Sequence, residues 1–276
     1  MSLKFLCKAA KVSRSGYYYY IGHQELRRDR DRKSLLLIEK LHIKSRGTAG
    51  AQTIAMQLES LDVKMNVKKV RRIKREYGLR TKIRRKKAYK NLPTAEDANV
   101  PNLLSRDFVT PIPDQIYSTD MTYLFYGKGE RAYLSATKDL ATNEVVSYRL
   151  MRTPSLSHFM DEFQLLFKRL PEHKRKSLMV HSDQGFQYTH VNFRNLLKSN
   201  GVTQSMSRRG NCLDNAPIES FFGHFKDLLE LRKCTNFEEV GNEVRKMMKY
   251  YNNERPQLAL NKKPPVMYRG LLSGLY

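Results

Sequence analysis

Three consecutive runs rich in aromatic and β-branched residues, at 117–126, 131–138 and 144–151, constrain this 276-residue chain more than any other feature. The segments between them, GKGE at 127–130 and Ala141-Thr142-Asn143, are short turn sequences, so the runs predict an antiparallel meander. The periodicity then changes. A helix is expected at about 157–169, a buried strand at 178–182, a helix near 191–200 and a short strand at 202–206, with helices completing the chain at 215–232 and 237–252. A meander followed by alternating helices and strands predicts an α/β domain over 114–276 that ends in a helical extension. Ahead of it, Pro93, Pro101, Pro111 and Pro113 mark 92–113 as an interdomain linker.

The part before the linker reads differently. Residues 1–30 predict a short helix, a turn near Val12-Ser13 and a second helix capped by Ser13 or Ser15 and ending in Tyr17 to Tyr20. Within 31–91, helices are expected at 33–44, 51–61 and 67–77. In the last of these Val67, Val70, Ile73 and Tyr77 form an inner stripe, while Lys68, Lys69, Arg71, Arg72, Lys74 and Arg75 cover the remaining surface. That is the layout of a recognition helix in a helix-turn-helix-like region. Gly78 reads as its C′ residue, and the following run through Arg84 and Arg85 as a basic arm along phosphates.

Charge supports this division. The chain carries 51 Lys and Arg against 27 Asp and Glu, and 26 of the basic but only 9 of the acidic residues lie in 1–100. Such a surface calls for a polyanion, and nucleic acid is the natural one. The longest apolar run, Leu35-Leu36-Leu37-Ile38, is far too short to span a bilayer, and the opening residues lack a secretory core, so a cytosolic protein with no membrane partner is expected. Cys7, Cys212 and Cys234 are too widely spaced for a zinc site and read as reduced thiols.

Three carboxylates fall at informative places: Asp120 within the first strand, Asp183 just past the fourth, and Glu219 in the first turns of a late helix. In an RNase H-like sheet the first and fourth strands are neighbours, so Asp120 and Asp183 converge and Glu219 leans in from the helix. Carboxylates held that close repel unless a cation sits among them, and Mg²⁺ is a hard cation suited to oxygen ligands. The 35 residues between Asp183 and Glu219 carry no weight alone, because this composition yields such a pair readily by chance. On the Glu219 helix, Lys226 follows at i+7, about 10 Å along the axis, and reads either as a phosphate contact or as an i,i+4 partner of Glu230. The loop at 205–215 places Arg208 and Arg209 where they either cover the site or form ordinary surface. His181 reads as structural or as a contact to substrate or metal, and Arg255 as a fastener of the last segment or a DNA contact.

The stretches STDMTYL at 118–124, VHSDQGFQYT at 180–189, QSMSRRGNCLDNAPIESFFGHFKDLL at 204–229 and MMKYYNNERPQLALNKKPPVMY at 247–268 resemble the OrfB-type transposases of the insertion-sequence-three family. CKAAKVSRSGYYYY at 7–20 and MNVKKVRRIKREYGLR at 65–80 extend the resemblance over most of the chain. It implies an RNase H-like (integrase) catalytic core with Asp120, Asp183 and Glu219 as catalytic, metal-binding triad, holding two Mg²⁺ or Mn²⁺ ions. It further implies DNA strand cleavage and 3′-OH strand transfer, double-stranded DNA of transposon ends and target as partner, a homo-oligomer on DNA, and a separate or fused upstream reading-frame product as a further partner. Lys226 matches a phosphate-contacting basic position of the family. Tyr117 stands where such proteins often carry Trp, the chain has no Trp at all, and neither a zinc-binding amino-terminal module nor a sustained heptad repeat is present. The competing readings are a hydrolytic RNase H-like nuclease and a non-catalytic basic DNA-binding regulator.

Overall fold

The computed structural model describes residues 2–83, 100–208 and 211–274. The chain divides into two compact units, Met1–Ile83 and Arg84–Tyr276. The first is helical: α1 (Leu3–Ala9), α2 (Arg14–Lys44), α3 (Ala51–Glu59) and α4 (Val67–Glu76). Ser13 caps α2 by accepting from the Gly16 N–H at 2.9 Å, and Asn66 caps α4 by accepting from Lys68 N–H at 2.8 Å. Past α4, Gly78 takes φ +68° and lets the Leu79 N–H reach back to the Lys74 carbonyl at 2.8 Å, the hydrogen bond that closes a Schellman turn.

The helix begun at Ser13 does not stop at Tyr20, nor does a new one start at 33; α2 runs unbroken for 31 residues. Between those points the sequence has no proline, and Gly22 costs only about 1 kcal/mol in a stretch otherwise made of good helix formers. Apolar spacing lapses there because that part of α2 packs on little. The core of the unit begins further along, where Ile38 and Leu41 meet Ile54, Leu58, Val70 and Ile73.

The second unit is built on a five-stranded sheet. Strands β1 (Ile116–Tyr126), β2 (Glu130–Asp139) and β3 (Val145–Met151) form the antiparallel meander; β4 (Met179–Ser182) and β5 (Thr203–Met206) extend it in parallel, giving the order β3-β2-β1-β4-β5. The connections are α5 (Leu156–Arg169) and α6 (Glu172–Ser177) before β4, then α7 (Phe186–Thr189) and α8 (Val191–Ser199) before β5. Three helices follow: α9 (Ala216–Leu228), α10 (Phe237–Asn253) and α11 (Pro265–Leu272). This is the RNase H-like order, with β1 and β4 side by side.

Each face of the sheet has its own apolar cluster. On one, Leu124, Tyr126, Ala132 and Leu134 pack beneath Phe221, Phe222 and Phe225 of α9 and Val244 and Met248 of α10. On the other, Tyr117 and Val180 meet Phe159 and Phe163 of α5 and Phe193 of α8. Helix α9 ends at Leu228, earlier than expected, because Leu229 turns to extended backbone. Helices α6, α7 and α11 are additions to the elements expected. Among the described residues no helix is long and apolar enough to cross a membrane.

Candidate active site and nucleic-acid interface

Strand β1 pairs with β4 only over Ile116 to Ser118, so Asp120 lies just beyond the point where the two strands part. Asp120 is half-buried, and one carboxylate oxygen accepts from the Met121 N–H at 2.7 Å. Asp183 follows the last residue of β4 and accepts from the Gly185 N–H at 2.9 Å, which shapes the turn into α7. Glu219 lies exposed in the first turn of α9, whose opposite face is buried by Ile218, Phe221, Phe222 and Phe225. Three segments separated widely in sequence thus bring acid to one place.

The electrostatics record that meeting. Burial and the charge of Asp183, with a further push from Glu219, raise the Asp120 carboxyl to about 7, against a smaller opposing effect of Lys226. Asp183 is raised by burial too, opposed by the Gly185 N–H. Among the described residues these side chains do not close into a ready-made metal cage. Lys226 lies about two turns further along the same face of α9 as Glu219, with its ammonium 5.3 Å from the Tyr123 ring centroid.

The sequence reading missed the residues that hold α9 in place. Asn215, almost fully buried just before α9, accepts from the Ser118 hydroxyl at 2.6 Å and donates to the Thr119 carbonyl at 3.2 Å, tying the start of the Glu219 helix to the strand that carries Asp120. Asp214 is wholly buried; it accepts from Arg106 at 2.7 Å, from Arg208 at 2.9 and 3.0 Å and from Asn102 at 3.0 Å. The arginines hold its carboxyl far below the ordinary range in spite of burial. Arg208, in the loop expected to cover the site or form ordinary surface, pairs with Asp214 while its side chain stays 55% exposed. The only cue was an Asp-Asn pair ahead of a helix, which ordinarily marks a cap, yet Asn215 makes no side-chain cap bond to α9.

His181 is fully buried between Ser205 and Ser207, with ring nitrogens 2.9 and 3.1 Å from their hydroxyls, and burial lowers it to about 4. It is a neutral structural residue. Arg255 lies over the Tyr251 ring at 5.9 Å, fastening the segment after α10.

In the helical unit the basic residues of α4 separate into two groups. Lys68, Arg71 and Arg75 are exposed. Arg72 pairs with buried Asp31 at 2.7 Å and with Glu76 at 2.8 Å, and Lys69 donates to Ser34 at 3.0 Å beside the same Asp31. Lys74, expected on the outer surface, turns inward: its ammonium donates to the Ala49 carbonyl at 2.7 Å and the Thr81 hydroxyl at 2.9 Å, and burial lowers its pKa. A groove of about 460 Å³ lies beside it, lined by Arg71, Arg75, Arg80 and Thr81. Arg84, Arg85 and Arg209 lie outside the described residues.

A sheet of this order, with acid at the β1–β4 junction, defines an integrase-type core, and comparison with known proteins agrees. Residues 110–212 and 200–265 match integrase core domain families, and 28–87 match an HTH-like domain. The InsK protein of insertion sequence element IS150 of Escherichia coli K12 is 34% identical over 96% of this chain and 92% of its own length. The 31 kDa protein of insertion element IS600 of Shigella sonnei is 32% identical over 96% and 97%, and the InsF transposase for insertion sequence IS3A of E. coli K12 is 31% identical over 82% and 78%. Among solved structures, the catalytic core of HTLV-2 integrase aligns with a TM-score of 0.45 at 18% identity, covering 57% of this chain and 97% of that one. The chain belongs to the OrfB-type transposases of the insertion-sequence-three family.

Proposed function

We propose that this chain cuts a DNA strand at the end of an insertion sequence and joins the freed 3′-OH to target DNA, with Asp120, Asp183 and Glu219 as the metal-binding triad. The observation that carries this reading is the convergence of three carboxylates, Asp120 where β1 and β4 part, Asp183 at the end of β4 and Glu219 at the start of α9; burial and the charges of Asp183 and Glu219 push Asp120 up to about 7. Negative charge gathered against its own repulsion, on hard oxygen donors, fits a divalent cation, two Mg²⁺ or Mn²⁺ ions per site. When bound, such ions lower the pKa of a coordinated water and stabilise charge on the leaving oxygen.

The residues of the chain do the rest. Asn215 fixes α9 to β1, so that Glu219 keeps its distance from Asp120 while DNA is exchanged. Lys226, further along the same face, holds a phosphate beside the one under attack. Water first displaces the 3′ oxygen at the element's end; that freed 3′-OH then displaces the 3′ oxygen of a target phosphodiester, and no covalent link to the protein forms. Lys68, Arg71 and Arg75 grip the duplex backbone, joined by Arg84 and Arg85 of the basic arm and by Arg209, whereas Lys69, Arg72 and Arg208 stabilise the protein. Two ends must be joined to one target, so at least two copies act together, with an upstream reading-frame product as a further partner in end recognition.

The test is a cleavage and joining assay on labelled element ends. Cutting and joining with Mg²⁺ by the natural chain, and neither by Asp120→Asn, Asp183→Asn or Glu219→Gln, is the expected result. Cutting without joining would instead indicate a hydrolytic nuclease, and binding without cutting a regulator.

A further inference from the structure

Strand β1 runs on well past the catalytic carboxylate, and its outer end carries Tyr123 and Phe125 at 54% and 53% exposure. These two face the same side of the sheet as Tyr117 and Met121, but the apolar cluster on that side ends with Met121. Their rings meet edge to face at 5.3 Å, and across the hairpin Tyr123 pairs with half-buried Tyr133 while Phe125 pairs with Arg131. Large aromatic rings clustered in solvent at the tip of a hairpin mark an interaction surface. Here each ring has a cation beside it: the Lys226 ammonium 5.3 Å from the Tyr123 centroid, and the Arg131 guanidinium 5.6 Å from that of Phe125.

Flat, exposed rings interleaved with cations match one class of ligand: an unpaired nucleobase with its phosphates. A base stacks on an aromatic face whatever its identity, and the cations hold the backbone on either side. The position suits it as well. Three residues of extended strand put the backbones of Asp120 and Tyr123 about 10 Å apart. Alternation turns the two side chains to opposite faces, but Lys226 of the helix that carries Glu219 bridges them: its ammonium lies at the Tyr123 ring and its charge acts on Asp120. A protein partner or second copy would be expected to bring acidic groups to Lys226 and Arg131, whereas DNA is already the polyanion of the neighbouring site.

We propose that Tyr123 and Phe125, flanked by Lys226 and Arg131, form a stacking platform for an unpaired base of the DNA strand next to the cleavage point. The platform rests on the proposed function for the source of that strand, yet it makes a separate demand: the protein must prefer a frayed or tailed end to a blunt one, with or without chemistry. It also explains how such a site opens the duplex beside the reacting phosphate, since the stacking energy lost by a base leaving the helix is regained on Tyr123.

The experiment uses the full chain in EDTA, so that nothing is cut, and two versions of the element's end: a blunt duplex, and one with a three-nucleotide unpaired tail carrying 2-aminopurine. The natural chain should bind the tailed end more tightly and change the 2-aminopurine fluorescence on binding. Tyr123→Ala should reduce tail preference by about 5- to 150-fold, the range for loss of one stacked base, by weakening the tailed end far more than the blunt one. Tyr123→Phe should keep the preference, and Tyr123→Leu, which is apolar but cannot stack, should lose it; this pair decides the question should the alanine variant fold poorly. Equal affinity of the natural chain for both ends, or full tail preference in Tyr123→Leu, overturns the platform. So does a drop in mass by light scattering when Tyr123 and Phe125 are both replaced without DNA present, which would assign the patch to a second copy. Each of those results leaves cleavage and joining by the natural chain as a separate question, answered by its own assay.

Discussion

The sheet-based unit gathers carboxylates at two places and treats them oppositely. At the entry to β1, Asp114, Asp139 and Glu144 surround Arg269 of α11, with guanidinium contacts of 2.6 Å to Asp114, 2.5 Å to Asp139 and a third to Glu144, while Lys174 and the Tyr117 hydroxyl approach Asp114 at 2.6 and 2.7 Å. Burial raises Asp139 and Glu144 against the pull of Arg269, and Asp114 ends below its ordinary value because Lys174, Tyr117 and Arg269 outweigh its burial. Further along the same strand Asp120 has Asp183 and Glu219 for neighbours, and its hydrogen bond comes from a backbone N–H. The first cluster is neutralised from within the chain and fastens the last helix to the sheet. The second keeps its charge unbalanced, which is useful only if the balance arrives from outside.

The largest expected effect separates the two clusters by activity. Asp120→Asn, Asp183→Asn and Glu219→Gln should each lower joining on the order of 10³-fold, as loss of an essential catalytic group does. The metal-free melting temperature should hold or rise in Asp120→Asn, because that change relieves repulsion; a large fall in stability would place Asp120 with the structural cluster. Arg269→Met should do the reverse. Leaving three carboxylates without their shared cation is expected to cost about 3 kcal/mol, or a fall of about 6–12 °C for a unit of this size, read by calorimetry.

Glu162 sharpens the contrast, being a single buried carboxyl that belongs to neither cluster. Burial raises it from 4.5 to about 7, with weak contacts from the Ser135 and Ser147 hydroxyls and the charge of Arg149 only moderating the rise. The folded state therefore holds this proton more tightly than the unfolded chain. Its contribution to stability is fully present below pH 4.5 and is lost as pH rises to about 7. Glu162→Gln should flatten that part of the stability curve and stabilise the protein at pH 8 by on the order of 3 kcal/mol. An unchanged slope in urea titrations across this range would contradict the assignment.

The smallest effects belong to the helical unit. Replacing Lys68, Arg71 and Arg75 together with Gln should reduce the slope of log K against log salt for duplex binding by about 2.7 with little change in melting temperature. Arg72→Gln should lower the melting temperature and leave most of the slope intact, since Arg72 is engaged with buried Asp31. Equal behaviour of the two variants would erase the division of α4 into outward and inward cations.

Elements with strong periodicity were legible in the sequence: the meander, β4, β5, α5, α8 and α10 fall where the apolar spacing puts them. So was the placing of Asp120 in the first strand, Asp183 after the fourth and Glu219 at the start of a late helix. What escaped has physical causes. The middle of α2 is polar around its circumference and carries no periodic signal. Lys74 reads as surface by type, but its long apolar stem lets the ammonium reach the Ala49 carbonyl from a buried position. Asn215 to Ser118, Asp214 to Arg106 and Arg269 to Asp114 are side-chain bonds across about 100 residues or more of sequence, and no local pattern encodes the partner.

The central claim is that the Asp120 cluster awaits a cation while the Arg269 cluster does not, and titration of Mn²⁺ into the full chain by isothermal calorimetry tests it most directly. The natural chain should bind Mn²⁺ in a saturable manner and gain thermal stability with rising Mn²⁺, as a ligand selective for the folded state requires. Asp120→Asn should lose both responses, and Asp139→Asn should retain the binding. Equal Mn²⁺ binding by the natural chain and Asp120→Asn would contradict the account.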